Sequence, residues 1–241
     1  GTPKQLPFYP TADTPSDWTV SDHIVFSTNR VQKGPEWDEQ IYQVNANGGT
    51  PQRFITALGS MATVSPNGNL VAFVKGACRI SREDYYGSAQ RDVWIYNIKK
   101  RSYFQITSSI KNDHSPLWDA MGNLYYIGAE SGRYNIYKQS INTDGSPNGA
   151  SKKMTNQNKN GAISFSVSNN GTMVYTTLFD LYQIKAGESN KINLKIESDY
   201  KFEIENEVST TSDIFDFDVS PSGKLIALEI DGEIFVKQND K

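Results

Sequence analysis

Short apolar runs alternate with polar, glycine-bearing turns along almost the whole chain. The clearest runs are Leu70 to Val74, Leu124 to Ile127, Met173 to Thr177 and Leu225 to Leu228, and Ile24-Val25-Phe26-Ser27 is an earlier copy. Four of them follow a matching turn: Ser65-Pro66-Asn67-Gly68, Asp119-Ala120-Met121-Gly122, Ser168-Asn169-Asn170-Gly171 and Ser220-Pro221-Ser222-Gly223. The turn glycines recur at intervals of roughly 50 residues, a period that marks repeat architectures. A degenerate turn, Ser21-Asp22-His23, precedes the earliest run. After each run comes a polar-aliphatic-aromatic element: Gln40-Ile41-Tyr42, Asp92-Val93-Trp94, Asn135-Ile136-Tyr137, Asp180-Leu181-Tyr182 and Glu233-Ile234-Phe235. A third element closes most units, at Gln52 to Ile55, Tyr103 to Ile106, Lys152 to Thr155 and Lys191 to Leu194. Another short strand lies upstream of each turn, at Thr14 to Thr19, Met61 to Val64, Ser115 to Trp118, Ile163 to Val167 and Ile214 to Val219. No segment shows the 3.6-residue apolar period of an amphipathic helix.

Each unit therefore reads as four short strands, and a four-stranded sheet of this size cannot bury both faces alone. Stacking copies radially does so, which predicts an all-β fold, a β-propeller of about five four-stranded blades. A β-sandwich is the rival, since it too has many short strands. The fixed order of four distinct strand signatures favours the propeller. The blades are expected at 14–56, 61–107, 115–155, 162–196 and 213–236, in a single domain over 1–241. Thr2-Pro3-Lys4-Gln5-Leu6 repeats the outer-strand signature of Thr50-Pro51-Gln52-Arg53-Phe54. Residues 2–6 are accordingly expected to close the last blade, because an unpaired edge invites association. The alternative is that this chain is a fragment of a six-bladed parent.

The repeat unit, Ser-Pro-Asn-Gly-x-Leu-Val-Ala-Phe followed by Asp-Val-Trp-Ile-Tyr, resembles the TolB and tricorn type of propeller rather than the WD type. Two stretches resemble the amino-terminal propeller of bacterial tricorn-like serine peptidases more closely. One is Gly76 to Glu83 with Tyr85-Tyr86-Gly87 and Arg91 to Trp94, and the other is Ile226 to Glu229 with Gly232 to Phe235. The resemblance implies a non-catalytic domain beside a serine peptidase, controlling substrate access or binding protein or peptide. It also implies PDZ and peptidase domains elsewhere in the parent chain, and a periplasmic or otherwise exported setting. A stand-alone TolB-like protein-binding propeller is the alternative, and a propeller glycosidase is a third.

The charge and the residue inventory narrow the chemistry. With 24 basic and 27 acidic residues the formal net charge is −3, so the basic footprint of a nucleic-acid partner is missing. The apolar runs are far too short to insert into a membrane. Cys78 is the only cysteine, which excludes an intrachain disulfide, and it reads as a partly buried, inert thiol. The sequence carries no Gly-x-Ser-x-Gly elbow, no His-Glu-x-x-His and no phosphate-binding loop, and His23 and His114 are not spaced as metal ligands. No cofactor, metal or catalytic residue is expected. Asp216 and Asp218 alternate along one strand, whereas glycoside hydrolysis needs acids across a cleft. Trp18, Trp94 and Trp118 read as packing between blades.

Strand order places the long connections, Thr28 to Glu39 and Lys75 to Gln90, on one face, and the tight turns on the other. Long loops on a rigid scaffold are where function concentrates, and Tyr, Trp and Arg are enriched at binding hot spots. The candidate binding residues are therefore Trp37, Arg79, Arg82, Glu83, Tyr85, Tyr86, Asp113 and His114. For the 75–90 insert the competing reading is packing over a neighbouring blade, and for His114 a loop histidine bonded to a nearby turn.

Overall fold

The computed structural model describes residues 5–6, 9–30, 39–195 and 213–238. They form strands and turns, and the chain divides into two compact units, Gly1–Leu194 and Lys195–Lys241. The first unit contains four antiparallel four-stranded sheets. Sheet one comprises β1 (Asp13–Trp18), β2 (His23–Thr28), β3 (Gln40–Asn45) and β4 (Gln52–Leu58); sheet two comprises β5 (Ser60–Val64), β6 (Leu70–Lys75), β7 (Asp92–Asn97) and β8 (Ser102–Gln105). Sheet three is β9 (Asp113–Trp118), β10 (Leu124–Gly128), β11 (Asn135–Gln139) and the two-residue β12 (Lys152–Lys153). Sheet four is β13 (Ser164–Val167), β14 (Met173–Thr176), β15 (Leu181–Lys185) and β16 (Glu188–Ile192). Consecutive strands are neighbours throughout, and successive first strands touch, β1 with β5, β5 with β9 and β9 with β13. These are the blades of a propeller. The second unit carries β17 (Ile214–Val219), β18 (Leu225–Ile230) and β19 (Glu233–Gln238), three-stranded among its described residues.

The core consists of apolar layers between sheets rather than one central mass. Val25, Ile41 and Ile55 of sheet one meet Val71 and Phe73 of sheet two. The intervening residues of sheet two, Leu70, Ala72, Val93 and Ile95, turn the other way and meet Trp118, Leu124, Tyr126 and Tyr137 of sheet three. Sheet three repeats the device towards sheet four through Tyr125, Ile127 and Ile136 against Met173, Tyr175 and Ile184. A strand buried on both faces has no polar side to show, which is why Leu70 to Val74 is an unbroken apolar run.

Hydrogen bonds repeat with the sheets. In the first-to-second strand turns the amide of Gly68, Gly122, Gly171 and Gly223 donates to the carbonyl of Ser65, Asp119, Ser168 and Ser220 respectively. Each of these glycines has a positive φ, between 70° and 81°. Between sheets a second bond recurs: Gly59 N–H donates to Glu39 C=O, Asp113 to Arg91, and Ala162 to Tyr134. Each acceptor immediately precedes the third strand of one sheet, and each donor lies at or just before the first strand of the next. Sheet one has an additional clamp. The Arg30 guanidinium makes two 2.8 Å bonds to Asp13 and lies 5.1–5.3 Å from the ring centres of Tyr9, Phe26 and Tyr42.

Two details differ from the sequence reading, and a third lies largely outside the described residues. Trp118 is buried and donates to Thr63 C=O, but Trp18 is 55% exposed; β9 has the preceding first strand β5 to pack on, whereas β1 opens the unit. The outer strand of sheet four begins at Glu188 instead of Lys191, because Ala186 and Gly187 adopt a two-residue turn with φ of 52° and 86°. The proposed closing strand 2–6 falls largely outside the described residues, and Gln5 and Leu6 are not in a strand.

Two glycine substitutions separate conformational cost from steric cost. A Cβ at Gly122 meets nothing within 4 Å, so Gly122→Ala carries only the left-handed backbone cost, about 1–2 kcal/mol. A Cβ at Gly76 would lie 1.9 Å from the Gln90 carbonyl oxygen, so Gly76→Ala must separate the two ends of the insert and cost more. Urea unfolding of both variants measures the difference; equal losses would contradict this account of the insert.

Candidate functional site

The connection between β6 and β7 is the longest described loop, and it is built from its ends inward. Cys78 N–H donates to Ala89 C=O, and Gln90 N–H to Gly87 C=O, which closes the neck. Arg91 Nε donates to Cys78 C=O. The insert then leans on sheet three. Glu83 bridges Arg133 at 2.9 Å, Asp84 pairs with Lys111, and Tyr134 Oη donates to Ile80 C=O at 2.7 Å. Asn112, fully buried, accepts from Arg91 N–H through Oδ1 and donates through Nδ2 to Arg82 C=O and Cys78 Sγ. Backbone atoms and acidic side chains do the docking, so the Arg79, Arg82 and Tyr86 side chains remain exposed. The Arg82 guanidinium covers the Tyr85 ring at 5.4 Å.

The remaining candidates separate into two groups. Asp113 and His114 open β9, next to Asn112, but are only 2% and 1% exposed. Burial pushes the Asp113 carboxyl up to about 7, with Asp92 and Glu130 adding repulsion and hydroxyl bonds from Thr107 and Ser109 opposing. Burial, helped by Arg91, holds the His114 imidazole down at about 4. His114 packs edge-on against Tyr134, shares a 2.8 Å bond between Nδ1 and Ser115 Oγ, and its Nε2 has no partner. These two residues underpin the face without being presented on it. Trp37 lies outside the described residues.

A cleft of about 580 Å³ opens at the root of the insert, lined by its two ends and by Lys75, Asp92, Trp94 and Gln105. Lys75 and Asp92 are directly opposite across β6 and β7, yet they form no ion pair. The Lys75 ammonium lies 5.3 Å over the Trp94 ring instead. Among the described residues the Asp92 carboxylate accepts only a long 3.4 Å bond from Gln90 Nε2, and burial raises it above the usual range against the opposing pulls of Gln90 and Lys75. The Gln105 amide donates to Thr107 C=O and the Gln90 amide to Ser109 C=O. The Trp94 indole N–H is buried without an acceptor. Sequence reasoning assigned Trp94 to packing, and it does pack against the apolar layer between sheets one and two, but passed over Lys75 and Asp92. The available signal was their position, one at each end of an insert. Among the described residues no cluster of three or more metal-binding side chains occurs, and no helix is long and apolar enough to cross a membrane.

Residues 1–190 match the model of the tricorn protease N-terminal beta propeller domain. Among solved structures, the chain is similar to the putative TolB from Agrobacterium tumefaciens, with a TM-score of 0.55 and 16% identity over 70% of this chain and 60% of that one. It is also similar to TolB from Acinetobacter baumannii, with a TM-score of 0.52 and 14% identity over 94% of this chain and 53% of that one. The β-propeller domain of the Trilobed protease from Pyrococcus furiosus aligns with a TM-score of 0.50 and 12% identity, covering 96% and 70%. At such identities the likeness is one of fold. The chain spans 60% of the length of the Agrobacterium protein and 53% of the Acinetobacter protein. No curated protein matches the sequence.

Asp113 and His114 make opposite demands on pH. The contribution of Asp113 is complete below its unfolded value of 3.8 and is lost as the pH rises through about 7. That of His114 is complete above its unfolded 6.5 and is lost as the pH falls through about 4. Asp113→Asn stays neutral throughout, so its stability relative to the parent chain should rise from about pH 4 to about pH 8, by on the order of 4 kcal/mol at about 1.4 kcal/mol per pKa unit. Urea unfolding at the two pH values measures this, and a difference that does not grow with pH would show that Asp113 ionises freely in the folded chain.

Proposed function

The chain belongs to the family of tricorn protease N-terminal beta propeller domains, and from that premise we propose that it is a non-catalytic propeller domain of an exported, periplasmic tricorn-like serine peptidase. In this reading it controls substrate access to a peptidase domain by binding protein or peptide. Its partners are peptide or protein chains together with the PDZ and peptidase domains of the parent. One observation carries the reading. The 75–90 insert is tied down at Ile80, Arg82 C=O, Glu83 and Asp84 while the Arg79, Arg82 and Tyr86 side chains are held exposed. Ordering a loop before a ligand arrives reduces the entropy lost on binding, and a Tyr 77% exposed at the tip of such a loop is the kind of residue that anchors interfaces.

Arg82→Ala and Tyr86→Ala separate binding from packing. Both side chains are exposed, so each variant should stay within about 0.5 kcal/mol of the parent in stability while its affinity for an unfolded chain such as casein falls severalfold. Calorimetric titration paired with thermal unfolding checks both halves. Unchanged affinity with a large loss of stability would mean that the insert serves only to pack.

A further inference from the structure

The cleft at the root of the insert contains a cross-strand pair that does not close. Opposite charges directly across an antiparallel pair ordinarily attract, their Cβ atoms lying about 4.5–5.5 Å apart. Lys75 and Asp92 hold such a register, but the ammonium is engaged by the Trp94 ring and the carboxylate only weakly by Gln90. A half-buried carboxylate without a strong donor is costly, and the protein retains one here. Two further acceptors line the same cleft. The amide nitrogens of Gln90 and Gln105 donate to backbone carbonyls, which leaves both side-chain oxygens without a donor among the described residues. The cleft thus offers one anionic acceptor, two neutral acceptors, one cation with its donor protons uncommitted, and an aromatic wall.

That set is complementary to a peptide segment bearing a basic side chain. A guanidinium or ammonium supplies the donors that Asp92, Gln90 and Gln105 lack, and main-chain carbonyls supply the acceptors that Lys75 lacks. A free anion would satisfy Lys75 while leaving Asp92 repelled. A small cation would satisfy Asp92 while leaving Lys75 unused. The walls contributed by the insert are small residues, Gly76, Ala77, Ser88 and Ala89, which let an extended backbone approach closely. We propose that this cleft is a peptide-binding site that takes a lysine or arginine side chain on the Asp92 carboxylate and an adjacent main-chain carbonyl on the Lys75 ammonium. The proposal rests on the peptide-binding reading of the domain and gives it a location and a side-chain preference.

The test uses the 241-residue chain and three capped pentapeptides, Ala-Ala-Arg-Ala-Ala, Ala-Ala-Glu-Ala-Ala and penta-alanine, titrated while backbone amide shifts are followed by NMR. The arginine peptide should bind tightest and perturb Lys75, Gly76, Asp92 and Gln105. Asp92→Asn should lower its affinity about tenfold, as expected for loss of a charge-assisted contact, without altering the response to penta-alanine. Binding of the arginine and glutamate peptides with equal affinity would overturn the proposal. So would perturbations confined to Arg79, Arg82 and Tyr86, which would nonetheless leave the peptide-binding reading standing. Failure of all three peptides, and of casein, to bind would remove both.

Discussion

A four-stranded sheet with apolar side chains on both faces cannot be stable by itself, and this constraint governs the rest of the molecule. Sheet two shows it most clearly, with Phe73 and Val71 buried towards sheet one while Leu70, Ala72 and Ile95 are buried towards sheet three. Each sheet needs a neighbour on either side, so the units must stack in sequence. The tight turns at Ser65–Gly68 and Asp119–Gly122 follow from the same need. They return the chain quickly, so that consecutive strands remain paired, and they satisfy their own backbone groups with Ser and Asp side chains.

The two ends of the sheets are consequently unequal. At one end the chain turns within a blade, and short glycine turns join each first strand to its second. At the other it must also cross between blades, and there the repeated bonds from Gly59 to Glu39, Asp113 to Arg91 and Ala162 to Tyr134 join one sheet to the next. The insert exploits that crossing. Asn112 and Arg91 belong to the inter-sheet stitch and also grip the insert through Arg82 C=O and Cys78 C=O. The loop that carries the candidate surface is thereby part of the same network that joins blades two and three. Asp113 and His114, at the base of that network, are kept neutral by burial over a shared range of pH, a common outcome for ionisable groups placed where two sheets meet.

In the proposed peptide-binding reading, the exposed tip and the root cleft divide the recognition chemistry. Arg79, Arg82 and Tyr86 offer a cationic, aromatic surface without a defined shape. Lys75, Asp92 and Trp94 are set by β-strand register, which fixes their relative positions more firmly than a loop does. Under that proposal, rigid strand ends supply directionality for a bound peptide and the tip adds contact area. The two features are neighbours in sequence because Lys75 and Asp92 sit at the strand ends that flank the long connection carrying the tip.

Much of this was determined by the sequence itself. The recurring turns, the apolar runs behind them and the polar-aliphatic-aromatic third strands specify four-stranded units, since turn glycines and period-two burial are local properties. Strand order likewise assigns the insert to one face, whereas its seating on sheet three through Ile80, Glu83 and Asp84 could not be read from the sequence. What the tertiary structure decided was every property that depends on a neighbour. Trp18 and Trp118 occupy equivalent positions, but among the described residues of the first unit only the second has another first strand, β5, to bury it. Asp113 and His114 appear as polar residues at a loop edge in the sequence, and become buried because Ser109, Tyr134 and Arg91, from separate segments, meet around them. Lys75 and Asp92 are seventeen residues apart and ordinary until antiparallel register sets them face to face and the Trp94 ring draws the lysine away. Burial and pairing are sums over contacts from distant segments, and only folding brings those segments together.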